Sequence, residues 1–158
     1  MKTTRDNRAF TILEVLITLA VLTVLSAAGI MYFRSSIIEV AAGSAMQSFV
    51  ADIEAARGRA IAGDRGMTWG VRALPASASW EFYATGTRDY AAEPFSTETK
   101  TLPVGVSWID PSSVPRSVEF APLSGATAST TFTIGYSAVR LMVSIDDRGT
   151  PVITRVGG

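Results

Sequence analysis

The sequence predicts an α+β chain, one long N-terminal helix followed by an antiparallel β head. Three observations carry this. Apolar residues make up 47% of the 158-residue chain against 18% charged, and the excess is concentrated at the front. Apolar positions then recur at helical spacing as far as Ala60. From Met67 onward the period falls to two, the alternation of strands. A mass of 16.7 kDa leaves room for one globular domain. The 14 basic and 14 acidic residues cancel, so no chain-wide basic surface for nucleic acid is indicated. With no cysteine there are no disulfides, thiolate metal sites or cysteine nucleophiles. With no histidine the commonest general base and metal ligand is missing, and with it every Ser-His-Asp arrangement. Catalytic residues, metals and cofactors are therefore expected to be none.

The first element is a short basic segment, residues 1–9, in which Lys2, Arg5 and Arg8 outweigh Asp6. An apolar run from Phe10 to Phe33 follows, with Glu14 its single charge. As a helix this run would measure about 36 Å, enough to cross the hydrocarbon core of a bilayer. A cleaved secretory signal ending at Ser26-Ala27-Ala28 and a plain signal anchor both fit the apolarity, but neither accounts for Glu14. Insertion tolerates the acid: the leucine, isoleucine, valine and phenylalanine side chains supply roughly −4 to −8 kcal/mol against a carboxylate cost of about 3 kcal/mol.

Ala9 followed by Phe10-Thr11-Ile12-Leu13-Glu14 resembles the processing motif of type IV pilins and type II secretion pseudopilins. The resemblance implies a leader cut between Ala9 and Phe10 by a prepilin peptidase, methylation of the new Phe10 amine, and a filament-assembly role for Glu14. It further implies partners: other pilin-type subunits, an assembly platform protein with its ATPase, and the inner membrane, with the head outside the cytoplasm before assembly into an extracytoplasmic filament. Two features depart from the usual pattern. Ala9 stands where glycine is commoner, and Met31 where many members carry proline.

Beyond Arg34 the helix continues. Ile38, Ala41, Ala45, Phe49, Ile53, Ala56 and Ala60 form one stripe, with Glu39, Gln47, Glu54 and Arg57 off it and Asp52 and Arg59 at its rim. Glu54 and Arg57 are spaced for a surface ion pair. Gly63 is the natural stop, so the helix should span about 10–62: residues 10–33 in the membrane or filament core, 34–62 amphipathic. The head, 64–158, reads as strands in the alternations Met67-Trp69-Val71, Trp80-Phe82, Val104-Val106-Trp108, Val118-Phe120, Phe132-Ile134 and Val139 to Ile145. A turn at Asp146-Asp147-Arg148-Gly149 leads to a returning strand through Val152, Thr154 and Val156, and polar Tyr90–Thr101 with Pro94 reads as an exposed loop.

The head is similar to H-type pseudopilin domains in Trp69-Gly70-Val71, Trp80 to Tyr83, Leu102 to Val106 and the hairpin from Arg140 to Ile153. That resemblance implies two sheets packed on the helix and a structural, minor subunit of a pilus or secretion pseudopilus. A major pilin and a DNA-uptake minor pilin are the alternatives. Trp69, Trp80 and Trp108 lie in strand alternation and read as core. Asp146-Asp147 lacks the oxygen-ligand spacing of a calcium loop. The Ser124–Thr131 hydroxyls read as a loop entering a strand. Arg140, Arg148 and Arg155 are the candidate DNA patch, but the head carries eight basic and nine acidic residues, net −1, so nucleic acid is an unlikely partner.

Overall fold

The computed structural model describes residues 11–86 and 94–157. Helix α1 runs Ile12–Ile61. Eight strands follow: β1 Thr68–Leu74, β2 Ser79–Thr85, β3 Pro94–Thr101, β4 Ser107–Asp110, β5 Arg116–Phe120, β6 Thr130–Tyr136, β7 Val139–Ile145 and β8 Pro151–Val156. They form two antiparallel sheets, ordered β3-β2-β1-β5 and β4-β6-β7-β8. By contacts the chain divides at Ile37/Ile38, and the hydrophobic core lies wholly in the second unit.

Within that unit α1 presents the expected stripe. Ala45, Phe49, Ile53, Ala56 and Ala60 are buried, joined by Ala42 and Met46 from the adjacent row. Phe49 is the hinge between the sheets. Its ring meets Trp80 of one sheet at 5.9 Å, and Trp108 and Phe132 of the other at 5.2 and 5.1 Å, all edge-on. The three tryptophans are core residues, as their alternation predicts. The Trp108 indole also donates to the Ser79 carbonyl, stitching β4 to the start of β2 at 3.0 Å. Gly63 ends the helix in the left-handed region, φ 65°, and its N–H closes the last turn on the Ala60 carbonyl.

The structure departs from the sequence reading in four places. Polar Tyr90–Thr101 was expected as a loop, yet from Pro94 it is β3. Glu98 and Thr99 point to opposite faces and are both exposed, so the strand needs no apolar alternation there, and proline fits its first position. Tyr90 to Glu93 lie outside the described residues. Val104 is not a strand residue: it sits 92% exposed in a turn closed by the Val106 N–H on the Pro103 carbonyl. Arg57 does not pair with Glu54, because its Nε donates 2.8 Å to the Arg148 carbonyl in the β7–β8 turn. Asp52 and Arg59 are more than rim. Asp52 accepts from the Trp80 indole at 2.7 Å and from Lys100 at 2.7 and 3.0 Å, tying the helix to β2 and β3. Arg59 lies over the Trp69 and Phe82 rings, 4.6 and 4.9 Å from their centroids.

Candidate functional site

The candidate site is the start of α1. Thr11 caps the helix: the Glu14 N–H donates to the Thr11 carbonyl at 3.0 Å and reaches its hydroxyl at 3.3 Å. The spacing Thr-x-x-Glu is half of a capping box. Glu14 thereby falls in the first turn, where the helix dipole favours an acid. Sequence reading assigned Thr11 only to a motif; the Thr-x-x-Glu spacing is the signal that marks it as the cap. The side chains from Thr11 to Ala28 are all exposed, and the large aliphatic ones lie all round the helix rather than on one face. That much apolar surface requires lipid or other helices around it. Its polar groups are prepared for such a setting: the Thr18 and Thr23 hydroxyls donate to the carbonyls of Val15 and Ala20 within the same helix. Glu14 has no ionic partner among the described residues. Ala9 and Phe10, the expected cleavage and methylation residues, lie outside the described residues. Among the described residues no helix is long and apolar enough to cross a membrane; Phe33, where the apolar run of the sequence ends, is 70% exposed.

The other candidate residues do not assemble into sites. Arg140 pairs across strands with Val156, and Arg155 with Leu141, so the two arginines project from opposite faces of the sheet. Arg155 is tied to Glu39 at 2.8 Å, and Arg148 lies in the turn at the far end of β7. No arginine patch results. The Asp146 Oδ1 is used inside its own turn, accepting the N–H groups of Arg148 and Thr150. Ser124 and Thr127 to Thr130 line an open cavity of about 620 Å³ with Thr68, Ser117, Glu119, Ala121 and Ala126. Its Glu119 is engaged by the Tyr83 phenol, whose ring crosses directly over Gly70. No cluster of His, Cys, Asp and Glu suited to a metal is present among the described residues.

Residues 4–30 match the family model of the prokaryotic N-terminal methylation motif. As a sequence, the chain matches none of the curated proteins. As a fold it matches the type IV minor pilin FimU of Pseudomonas aeruginosa, with 14% identity and a TM-score of 0.54, over 78% of this chain and 92% of that one. Its fold is pilin-like. The minor pseudopilin EpsH from the type 2 secretion system of Vibrio cholerae matches this pilin-like chain in two structures. The first has 17% identity and TM-score 0.51, covering 73% of this chain and 96% of that one. The second has 18% identity and TM-score 0.53, covering 75% and 95%. The helix followed by two four-stranded antiparallel sheets is thus the pilin arrangement, with the methylation motif at its front.

Proposed function

We propose that this pilin-like chain is a structural subunit, a minor pilin or pseudopilin, of a type IV pilus or type II secretion pseudopilus, with no catalytic role. The observation that carries this is the pairing of a prepilin-type N-terminus with a head whose fold matches a minor pilin and a minor pseudopilin. The precursor sits in the inner membrane through residues 10–33, leader inside and head outside, in keeping with the basic leader. A prepilin peptidase cuts between Ala9 and Phe10 and methylates Phe10. A platform protein and ATPase then move the subunit into the filament.

Glu14 is the residue on which assembly turns. A carboxylate among Leu, Ile and Val is costly unless a cation meets it. Cleavage makes one: the Phe10 amine. A neighbouring subunit shifted along the filament presents that amine to Glu14, and breaking such a buried pair costs about 3–5 kcal/mol. The test is N-terminal sequencing and intact mass of protein from the native host, for the parent and Glu14→Ala. Both should begin at methylated Phe10, because the peptidase reads the junction, while Glu14→Ala should be depleted from sheared filaments. A mature N-terminus at Gly29, or an intact leader in assembled material, would sink the reading. Equal assembly of Glu14→Ala would remove the role given to the acid.

A further inference from the structure

The second unit begins at Ile38, and the end of it where the chain enters is built from four pieces. α1 supplies Ile38, Glu39 and Val40. The turn from Pro103 to Val106 lies against the helix: a Cβ on Gly105 would stand 3.9 Å from Ile38 Cδ1 and 3.6 Å from the Tyr136 ring. Tyr136 closes β6, and the end of β8 is brought in by Arg155, which meets Glu39 at 2.8 Å.

Three valines stand out from this end, Val104, Val40 and Val156, at 92%, 72% and 42% exposure. Val104 rides on a fixed support. Leu102 and Val106 on either side of it are buried. The Leu102 N–H donates to the Ala78 carbonyl at 2.8 Å, and the Val106 N–H closes the turn on the Pro103 carbonyl at 3.0 Å. The charge of Glu39 is met by Arg155. Arg140, which lies opposite Gly135 and Val156, is exposed and has no ionic partner among the described residues. Apolar tips beside a free cation and a tyrosine ring suit the boundary between lipid and water.

The chain that leads in indicates which surface this end meets. Five residue steps separate Ile38 from Phe33, where the apolar run of the sequence ends. As helix, which α1 is throughout this stretch, they cover about 8 Å. The headgroup layer is itself about 5–8 Å deep on each side of the hydrocarbon core. An anchor in residues 10–33 therefore holds the entry end of the head at the headgroups. We infer that, before assembly, the Pro103–Val106 turn dips Val104 into the headgroup layer of the bilayer, with Arg140 meeting lipid phosphate. This rests on the reading of residues 10–33 as the membrane segment. The tether makes the contact intramolecular, so a weak one is enough to be occupied, and a weak one is readily given up on entry into a filament.

The chain has no cysteine, so Val104→Cys creates a unique labelling site. The full-length variant, carrying an NBD fluorophore, is reconstituted in phosphatidylcholine–phosphatidylglycerol vesicles that contain lipid with a nitroxide on its headgroup. Leu123→Cys is the reference. It is 77% exposed and lies at the other end of α1, where its N–H meets the Ala60 carbonyl. Quenching at position 104 should exceed that at 123 roughly threefold. A label at Ala138→Cys, in the exposed turn after Tyr136, reads the companion variants Val104→Asp and Arg140→Gln, each of which should weaken its quenching. Val104 lies outside the core, so Val104→Asp leaves the head folded. Equal quenching at 104 and 123, or a 138 label indifferent to Val104→Asp, would overturn the proposal. Quenching that vanishes on dilution to a single chain per vesicle would assign the turn to a second copy and overturn it too. Flotation of the vesicles separates the two readings. A chain that floats with them and is quenched equally at both positions overturns only the turn contact, whereas a chain left behind overturns the membrane reading of residues 10–33 and the contact with it.

Discussion

Tyr83 and Lys100 are two protonated groups that the fold holds on to. The Tyr83 phenol is pushed far above its usual 10.0, first by burial and then by the hydrogen bond it gives Glu119. The Asp52 carboxylate raises Lys100 above its usual 10.5 through their hydrogen bond, partly opposed by burial. The sign is the same for both. A folded-state pKa above the unfolded value means the native chain keeps protons that the unfolded chain releases, so the stabilisation is complete below the unfolded values and is lost as pH rises past them. The melting temperature should therefore hold to about pH 10 and fall above it. Tyr83→Phe should melt lower at neutral pH but decline less steeply in alkali. Thermal melts from about pH 8 to 11.5 check this, and parallel declines for parent and variant would remove Tyr83 from the account. Gly70 makes the tyrosine's position possible. A Cβ there would stand 2.7 Å from the Val118 carbonyl and 2.9 Å from the Tyr83 ring.

At the scale of elements, the second half of α1 is held by one aromatic knob. Phe49 is 1% exposed between rings of both sheets. Phe49→Asp loses the roughly 3–5 kcal/mol of a large-to-small core change and adds a carboxylate with no partner. The variant should be unfolded or melt far below the parent, and an unchanged melt would mean the buried face is misassigned. This stripe was legible in the sequence because it is a local period, and so were most strands. What stayed hidden is what local pattern does not encode. β3 is polar because both faces of its described stretch meet solvent, at Glu98 and Thr99. Asp52 finds Trp80 and Lys100 at separations of 28 and 48 residues, and Arg57 finds the Arg148 carbonyl at 91. The linear motif through Glu14 was readable because it lies in consecutive residues, whereas the exchange of strands between the two sheets emerges only once the strand order is known.

For the molecule as a whole, the core begins at Ala42 and every member belongs to the unit that starts at Ile38. A fragment of residues 34–158 should therefore be soluble and folded without the apolar run. It should unfold in one transition, reported alike by Trp69 and Trp80 in one sheet and by Trp108 in the other. Two separable transitions in fluorescence, or a fragment that needs detergent to stay in solution, would contradict a single shared core.

The strand order has a consequence for how such a head comes into being. β4 belongs with β6, β7 and β8, and β5 with β1, β2 and β3, so the two sheets exchange strands midway along the chain. Neither sheet can be completed from a continuous stretch. A chain synthesised from its N-terminus delivers β1 to β3 early, but that sheet waits for β5, and Arg116 at the start of β5 waits for Asp110 behind it and Thr131 ahead. Synthesis thus has to run nearly to completion before either half can close. The head stays pliable until its last strands arrive, and then locks as a unit.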